Sequence, residues 1–351
     1  MKKYTHAQLR GFAEQVFIKM GMPANQAQVA SSVLTEADLR GIDSHGVARL
    51  SGYVRLRDAN RANFAPSIKM LHETPSTASL DADLGLGLFT AQEAMKLAMQ
   101  KARNVGTGWV AVQNSNHFGI AAAHAMMALE EDMIGFAMTN ASPLVAPSGS
   151  KERMLGTNPI CVAIPAGNEH PFVLDMATSA AANGKLEIAQ RLGKLLPDNW
   201  VQTREGGASN DAFELKNGGS LLPLGGHKGY GLAAMVDILS AVLPGANYGP
   251  WVPPFVAFLN PLENLPGKGI GHFLGAMRVD AFRPKEEFLA HMDNWIQRFK
   301  ASERLNPEEP VLIPGEPELA AKQERLANGI VLNAEVENDL LTLASRFELS
   351  L

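Results

Sequence analysis

Leu224-Gly225-Gly226-His227-Lys228-Gly229-Tyr230-Gly231-Leu232-Ala233-Ala234 is the stretch on which the fold assignment turns. Residues 229–234 match GxGxxA, a spacing whose glycines let a helix N-terminus approach a pyrophosphate. In the doubly wound nucleotide-binding fold that fingerprint follows a strand and is answered, roughly 20 residues on, by an acidic residue. Here the preceding apolar run is short and no such acid sits at a strand end, so the Rossmann reading is rejected. A glycine-rich turn, a lysine and a helix N-terminus still suit an anionic group, with Lys228 and the backbone as phosphate contacts. Residues 229–243 are almost wholly apolar, which predicts a long, buried helix.

Outward from this segment the pattern is mixed. Thr5 and Gln8 form a capping box ahead of Leu9, Phe12, Val16 and Met20 at helical spacing, and Gly21 stops the helix. A second helix runs from about Asn25 to Gly41, and a third from Thr90, with Glu93 as box partner, to about Val105. Strands are expected at 109–112, 134–138, 161–164, 172–174, 255–259 and 276–279. Further helices are expected at 119–131, 180–191, 284–300, 317–328 and 334–347. The polar, Gly- and Asn-rich segment 202–222 reads as a surface excursion, and 306–317, with four prolines, as an extended connector. The fold class is α/β: a central mixed domain wrapped by helices from both chain ends.

The bulk numbers narrow the function classes. The chain has 351 residues, 46% of them hydrophobic and 19% charged, with net charge −5 and pI about 6.0. It can form one large domain or two ordinary ones around a sizeable core. No lysine/arginine run is present, which argues against nucleic acid or an anionic membrane as partner. The opening MKKYTHAQLR has no apolar core of a signal peptide, and no apolar run reaches the ~18 residues of a membrane span. The single cysteine, Cys161, lies among apolar neighbours, which predicts a buried, inert thiol in a reducing compartment. A cytoplasmic globular protein is expected.

Four further blocks carry chemistry. Asp43-Ser44-His45-Gly46-Val47-Ala48-Arg49 follows the helix-ending Gly41. It pairs an imidazole able to move a proton with a guanidinium able to grip a carboxylate in a two-pronged bond. If the helix continues, residues 45 and 49 share a face. Asn114-Ser115-Asn116-His117-Phe118-Gly119 lies between a strand and a helix, and His117 reads as a proton-transfer group, a cofactor contact or a helix cap. His124 follows, but no third ligand has metal spacing and HExxH is absent, so no metal site is expected. Residues 139–143, 146–149 and Leu155-Gly156-Thr157-Asn158-Pro159 are tight turns, which either join strands or bring backbone close to a ligand. Asp175-Met176-Ala177-Thr178-Ser179 ends a strand and enters a helix, either as a polar-ligand site or with Thr178 or Ser179 as an N-cap.

In this order, DSHGVARL, NSNHFG, LGTNP, DMATS and GGHKGYG resemble the malate/L-lactate dehydrogenase family, which is unrelated to the Rossmann-fold lactate and malate enzymes. That family includes sulfolactate and ureidoglycolate dehydrogenases, diketogulonate reductase and reductases of cyclic imino acids. The resemblance covers nearly the whole chain. It implies a mostly helical part (1–75 and 285–351) and an NAD(P)-binding α/β part (76–284) with a non-Rossmann, largely antiparallel mixed sheet. It also implies a homodimer with active sites near the subunit interface, acting on a small carboxylate substrate with NAD or NADP. His45 is implied as proton donor/acceptor at the substrate C2 oxygen, Arg49 as carboxylate clamp with Ser44 assisting, and His117 in a catalytic or cofactor-side role. The implied cofactor positions are Ala141, Asp175, Met176, Ala177, His227, Lys228, Pro314, Gly315 and Glu316. Ser150 stands where relatives often have a second glycine, and 247–272, with Trp251 and His272, varies in such families. The implied reaction is hydride transfer between NAD(P) and a 2-hydroxy/2-oxo acid, malate or lactate first. The alternatives are reduction of another 2-oxo or cyclic 2-imino acid, or a non-catalytic dinucleotide sensor.

Overall fold

The structure, a computed structural model, describes residues 2–255 and 261–351. The chain opens with β1 (Lys3–Tyr4), α1 (His6–Lys19), α2 (Ala24–Leu39) and α3 (Leu50–Asp58). The capping box of Thr5 and Gln8 is formed as expected. There follow β2 (Lys69–Glu73), β3 (Thr77–Gly85), α4 (Gly87–Val105), β4 (Thr107–Ser115), the short α5 (Ala122–Ala125), β5 (Met133–Thr139), β6 (Ile160–Ile164) and β7 (Phe172–Met176). Next come α6 (Asn183–Leu192), β8 (Val201–Gln202), β9 (Ala208–Ser209), β10 (Ser220–Leu221), α7 (His227–Asp237) and β11 (Ile270–Arg278). The chain closes with α8 (Lys285–Lys300), α9 (Glu316–Asn328), β12 (Ile330–Val331) and α10 (Ala334–Phe347).

The main sheet runs β2-β3-β4-β11-β5-β6-β7. Only β3 and β4 are parallel; every other neighbouring pair is antiparallel. This is the non-Rossmann, largely antiparallel mixed sheet of the expectation. The pairing has a consequence for the site. β3, β4, β5 and β7 point the same way, so their carboxyl ends and the amino ends of β6 and β11 line one edge. The polar blocks at 114–119, 139–143, 155–159 and 175–179 all leave or enter the sheet along that edge.

Two cores meet there. Leu9, Phe12, Phe17, Leu34, Leu50 and Tyr53 pack with Leu340 and Leu343, so helices from both chain ends share one apolar cluster. α4 lays Ala91, Ala94, Met95 and Ala98 on the sheet against Leu80, Val110, Val112 and Leu274. Cys161 is buried in this second core, where burial raises its thiol well above the ordinary range.

Several expectations are corrected. α4 starts at Gly87 rather than Thr90, because the Thr90 hydroxyl bonds Ser115 (2.9 Å) instead of capping. The helix expected at 119–131 is only α5, followed by a 3-10 run from Met126 to Glu131. Segment 202–222 is not a bare excursion: β8–β10 form a small sheet over a satellite core of Val145, Leu155, Leu186, Val201 and Leu221. α7 and the π-helical turn after it (Ile238–Val242) bury Ala233 and Val236 but expose Leu232, Met235, Ile238 and Leu243, the last at 60%. An all-apolar sequence does not distinguish the face its own chain covers from the face it leaves bare. The strand expected at 255–259 falls, past Phe255, outside the described residues.

Two histidines are locked into the sheet-edge core in neutral form. His124 accepts from Gln92 at Nδ1 (3.0 Å) and donates from Nε2 to the Phe118 carbonyl (2.8 Å). His272 lies between the Thr139 and Ser115 hydroxyls, each 2.8 Å away, and stacks on Phe118. Burial lowers His124 to about 4 and His272 to about 3. With folded values below the unfolded one, their contribution to stability is complete above about pH 6.5 and is lost as pH falls through that value. Each imidazole should cost on the order of 2 kcal/mol between pH 7 and 5, a figure set mainly by the unfolded-state pKa. Thermal unfolding should show a Tm that drops over this interval, with a shallower slope in His272→Gln. Equal slopes would contradict it.

Candidate active site

The 43–49 segment does not continue as a helix. It forms two 3-10 turns, Asp43–His45 and Val47–Arg49, broken at Gly46, so the i,i+4 geometry expected of residues 45 and 49 is absent. The cause lies beneath the turn. Asp38, at the end of α2, is 1% exposed, and its Oδ2 accepts the Val47 N–H at 2.9 Å. A Cβ at residue 46 would lie 1.9 Å from Asp38 Oδ1, so only glycine fits. Arg325 of α9 donates to the Asp38 carbonyl at 2.5 Å and also binds the Asp43 carboxylate. Burial pushes the Asp38 carboxyl up to about 8.

On this support, Ser44 Oγ meets His45 Nδ1 at 2.9 Å. The Arg49 Nε donates back to the Ser44 carbonyl at 2.5 Å. Both Arg49 Nη groups are left without a protein hydrogen-bond partner among the described residues. His117, entering from β4, stacks beside His45 with ring centroids 5.8 Å apart and planes 26° from parallel. The Tyr53 hydroxyl reaches His117 Nδ1 at 2.7 Å. Phe255 closes the group: its ring is 4.8 Å from His117, 5.4 Å from Tyr53 and 6.0 Å from the Arg49 guanidinium carbon. Sequence reading missed Tyr53 and Phe255. Tyr53 follows Arg49 by four residues on α3, a helix not anticipated, and Phe255 was read only as the first residue of an expected strand after a proline-rich stretch.

Burial first, and then the Arg49 charge, lowers His45 to about 4. Burial, then His45 and Arg49, puts His117 well below its ordinary value. Both rings are neutral at pH 7.

The remaining blocks are tied together by Asn158, which is wholly buried. Its Oδ1 accepts the Ala141 N–H (3.1 Å), and its Nδ2 donates to the Ala233 carbonyl of α7 (3.0 Å). The Asn158 carbonyl accepts the Thr178 hydroxyl (3.0 Å), while Leu224 N–H donates to the Thr178 carbonyl (3.0 Å). Thr178 and Ser179 thus spend their hydroxyls on carbonyls, and neither caps α6, which starts at Asn183. A Cβ on Gly184 would meet the Ser44 Cβ at 3.1 Å, which brings α6 against the 43–49 turn.

Asp175 accepts the Ala122 N–H at the start of α5 (2.9 Å), and burial lifts its carboxyl to about 6. Met176 and Ala177 are half-buried beyond it. Pro314 runs alongside β7, its carbonyl accepting the Val173 N–H at 2.9 Å. Gly315 has φ +99° there, and Glu316 binds Lys300 at 2.7 Å. His227 and Lys228 are exposed on the first turn of α7, after Gly225 and Gly226 at positive φ. No side chain caps that helix, so its first N–H groups and Lys228 form a donor set suited to a pyrophosphate. Ser150 keeps negative φ in its turn, so the glycine-to-serine departure is absorbed without strain. Among the described residues no group of three His, Cys, Asp or Glu side chains is placed to hold a metal ion.

If Asp38 supports the turn as described, Asp38→Ala orphans the Val47 N–H at a cost of about 1–3 kcal/mol and lowers kcat/KM about tenfold. Asp38→Asn, which keeps an acceptor and the volume, should stay within about twofold. Thermal unfolding and steady-state kinetics read both, and equal losses in the two variants would contradict the assignment.

The chain matches the malate/L-lactate dehydrogenase family over residues 4–341. It is 43% identical to a malate dehydrogenase of Pyrococcus abyssi over 346 residues, covering 97% of this chain and 93% of the relative. It is 38% identical to an L-sulfolactate dehydrogenase of Methanocaldococcus jannaschii, covering 96% of this chain and 94% of the relative. A solved sulfolactate dehydrogenase structure from Methanocaldococcus jannaschii superposes with TM-score 0.91 at 37% identity, over 99% of this chain and 98% of that one. The chain belongs to the malate/L-lactate dehydrogenase family and is a 2-hydroxy acid dehydrogenase that works with a nicotinamide cofactor.

Proposed function

We propose that this enzyme interconverts a small 2-hydroxy acid and its 2-oxo acid with NAD or NADP, and that the acid is malate. The observation that carries the reading is the pairing of a free guanidinium fork on Arg49 with two neutral, half-buried imidazoles, His45 and His117, around one aromatic wall. The 43% identity to a malate dehydrogenase favours the dicarboxylate. A sulfolactate substrate is the second reading, because sulfolactate dehydrogenases stand at 38%.

In this reading the Arg49 Nη groups hold the substrate carboxylate in a bidentate pair and orient C2. Neutral His45 takes the proton of the C2 hydroxyl during oxidation and returns it during reduction, with Ser44 holding its Nδ1 edge. Phe255 and Tyr53 keep bulk water from the imidazoles. When bound, the nicotinamide supplies or accepts the hydride. Ala141, Asp175–Ala177, His227, Lys228 and Pro314–Glu316 are the positions proposed to hold the dinucleotide. The proposed division is 1–75 with 285–351 as the helical part and 76–284 as the cofactor part, with β2 reaching from the first into the sheet. We further propose a homodimer that covers the bare apolar face of α7, and a cytoplasmic setting suited to the free Cys161.

The test is a panel of 2-oxo acids, including oxaloacetate, pyruvate and sulfopyruvate, with NADH and NADPH in parallel. Oxaloacetate should give the highest kcat/KM; a sulfopyruvate preference would move the assignment to the second reading, and turnover of none would overturn it. On the preferred acid, Arg49→Lys should raise KM about tenfold, because an ammonium cannot form the planar fork. His45→Ala should lower kcat by roughly 10²–10⁴ while cofactor Kd changes by less than about twofold. An unchanged KM or an unchanged kcat would remove the corresponding role.

The pH dependence follows from the low value of His45. The free enzyme holds the base form down to about 4, so kcat/KM for oxidation should be flat from about pH 6 to 8. For reduction the acid form is needed, so kcat/KM should fall about tenfold per pH unit over the same range. A bell centred near 6.5 in both directions would contradict the assignment.

A further inference from the structure

We propose that Tyr53 is a positioning residue that holds His117 as the Nε2–H tautomer, making His117 a hydrogen-bond donor to the substrate and leaving proton exchange to His45. The inference rests on the dehydrogenase reading above and divides its two histidines between two roles.

Three observations carry it. First, His117 Nδ1 is approached by the Gly119 backbone N–H at 3.4 Å, and a backbone amide can only donate. A proton on Nδ1 would set two N–H groups against each other, so Nδ1 is bare and the ring proton sits on Nε2. Second, the Tyr53 hydroxyl lies 2.7 Å from the same nitrogen. Tyr53 is 0% exposed and has no other hydrogen-bond partner among the described residues, so its O–H must donate to Nδ1 or lose its bond in a dry site. Burial also raises the phenol well above its ordinary range, which keeps that proton in place. Third, the tyrosine cannot swing away. It is on α3 in the helical core, and its ring meets the edge of Phe255 at 5.4 Å and 81°.

The opposite edge of His117 is then an N–H. Nε2 has no protein partner among the described residues, and the ring stacks alongside His45. A neutral imidazole in this tautomer donates to an oxygen and does not accept a proton at that edge. His45 differs: its Nδ1 meets the adjustable hydroxyl of Ser44, which serves as donor or acceptor as the ring changes protonation.

The test is long-range ¹H–¹⁵N correlation of the imidazole nitrogens in the full-length enzyme at pH 7, with His117 assigned by the signals lost in His117→Gln. The wild type should show Nε2 protonated and Nδ1 bare. Tyr53→Phe should shift those signals toward a tautomer mixture and lower kcat about tenfold, with a much smaller change in KM. Three results would overturn the proposal: an Nδ1–H wild type, unchanged kcat in Tyr53→Phe, or a kcat loss with no tautomer shift, which would mark Tyr53 as packing alone. The wild-type spectrum decides the tautomer even if the variant does not fold. Because the spectrum needs no turnover, a failed substrate panel would overturn the dehydrogenase reading and leave the tautomer result standing.

Discussion

The contact between the buried Asp38 carboxyl and the Gly46–Val47 backbone is the constraint on which the site depends. It breaks what would have been one helix into two short turns. That break aims His45 and Arg49 at a common space, where a continuous helix would have stacked them along its axis. The carboxyl is shut away from water, and Arg325 binds its backbone carbonyl and the neighbouring Asp43, not the Asp38 side chain. The support is therefore a matter of shape and one hydrogen bond. A site built this way is rigid, because neither water nor a swinging ion pair can replace the acceptor.

Rigidity also sets the electrostatics. A guanidinium with two free Nη groups sits beside two imidazoles in a poorly solvated space, where burial first and its charge second hold them neutral. A bound carboxylate would cancel part of that field, so substrate binding and the proton affinity of His45 are coupled. If Arg49 grips the acid as proposed, the same contact readies His45 to keep a proton. Deeper in the sheet edge, His124 and His272 use both ring nitrogens in fixed hydrogen bonds and are structural. The four histidines near the site thus separate by what their nitrogens can still reach.

Much of this was legible in the sequence because titratable and charged side chains in glycine-rich loops have no packing reason to be there. His45, Arg49 and His117 stood out among glycines and small polar residues, and the structure brings them to one aromatic wall. Rejecting the GxGxxA match was equally legible, since the supporting strand and acid were missing, and the sheet is antiparallel in all but one pairing. What escaped had physical causes. Tyr53 belongs to a helix preceded by irregular turns, so no period announced it. β2 exposes every residue and gives no alternation, and the sheet's edge was lost with it. Asn158 looked like a turn residue, and only its three-way bonding reveals it as the tie between the Ala141, Thr178 and α7 segments. The apolar run 229–243 was read as buried because sequence records hydrophobicity, not which face the chain itself covers.

The central proposal is geometric: an imidazole and a guanidinium from two adjoining turns act on the same small acid. A crystal structure of the enzyme with nicotinamide dinucleotide and a non-reacting 2-oxo acid analogue tests it most directly. The account predicts the analogue carboxylate paired with both Arg49 Nη atoms and its C2 oxygen within hydrogen-bond reach of His45. A carboxylate held elsewhere, or residue 45 remote from that oxygen, would contradict it.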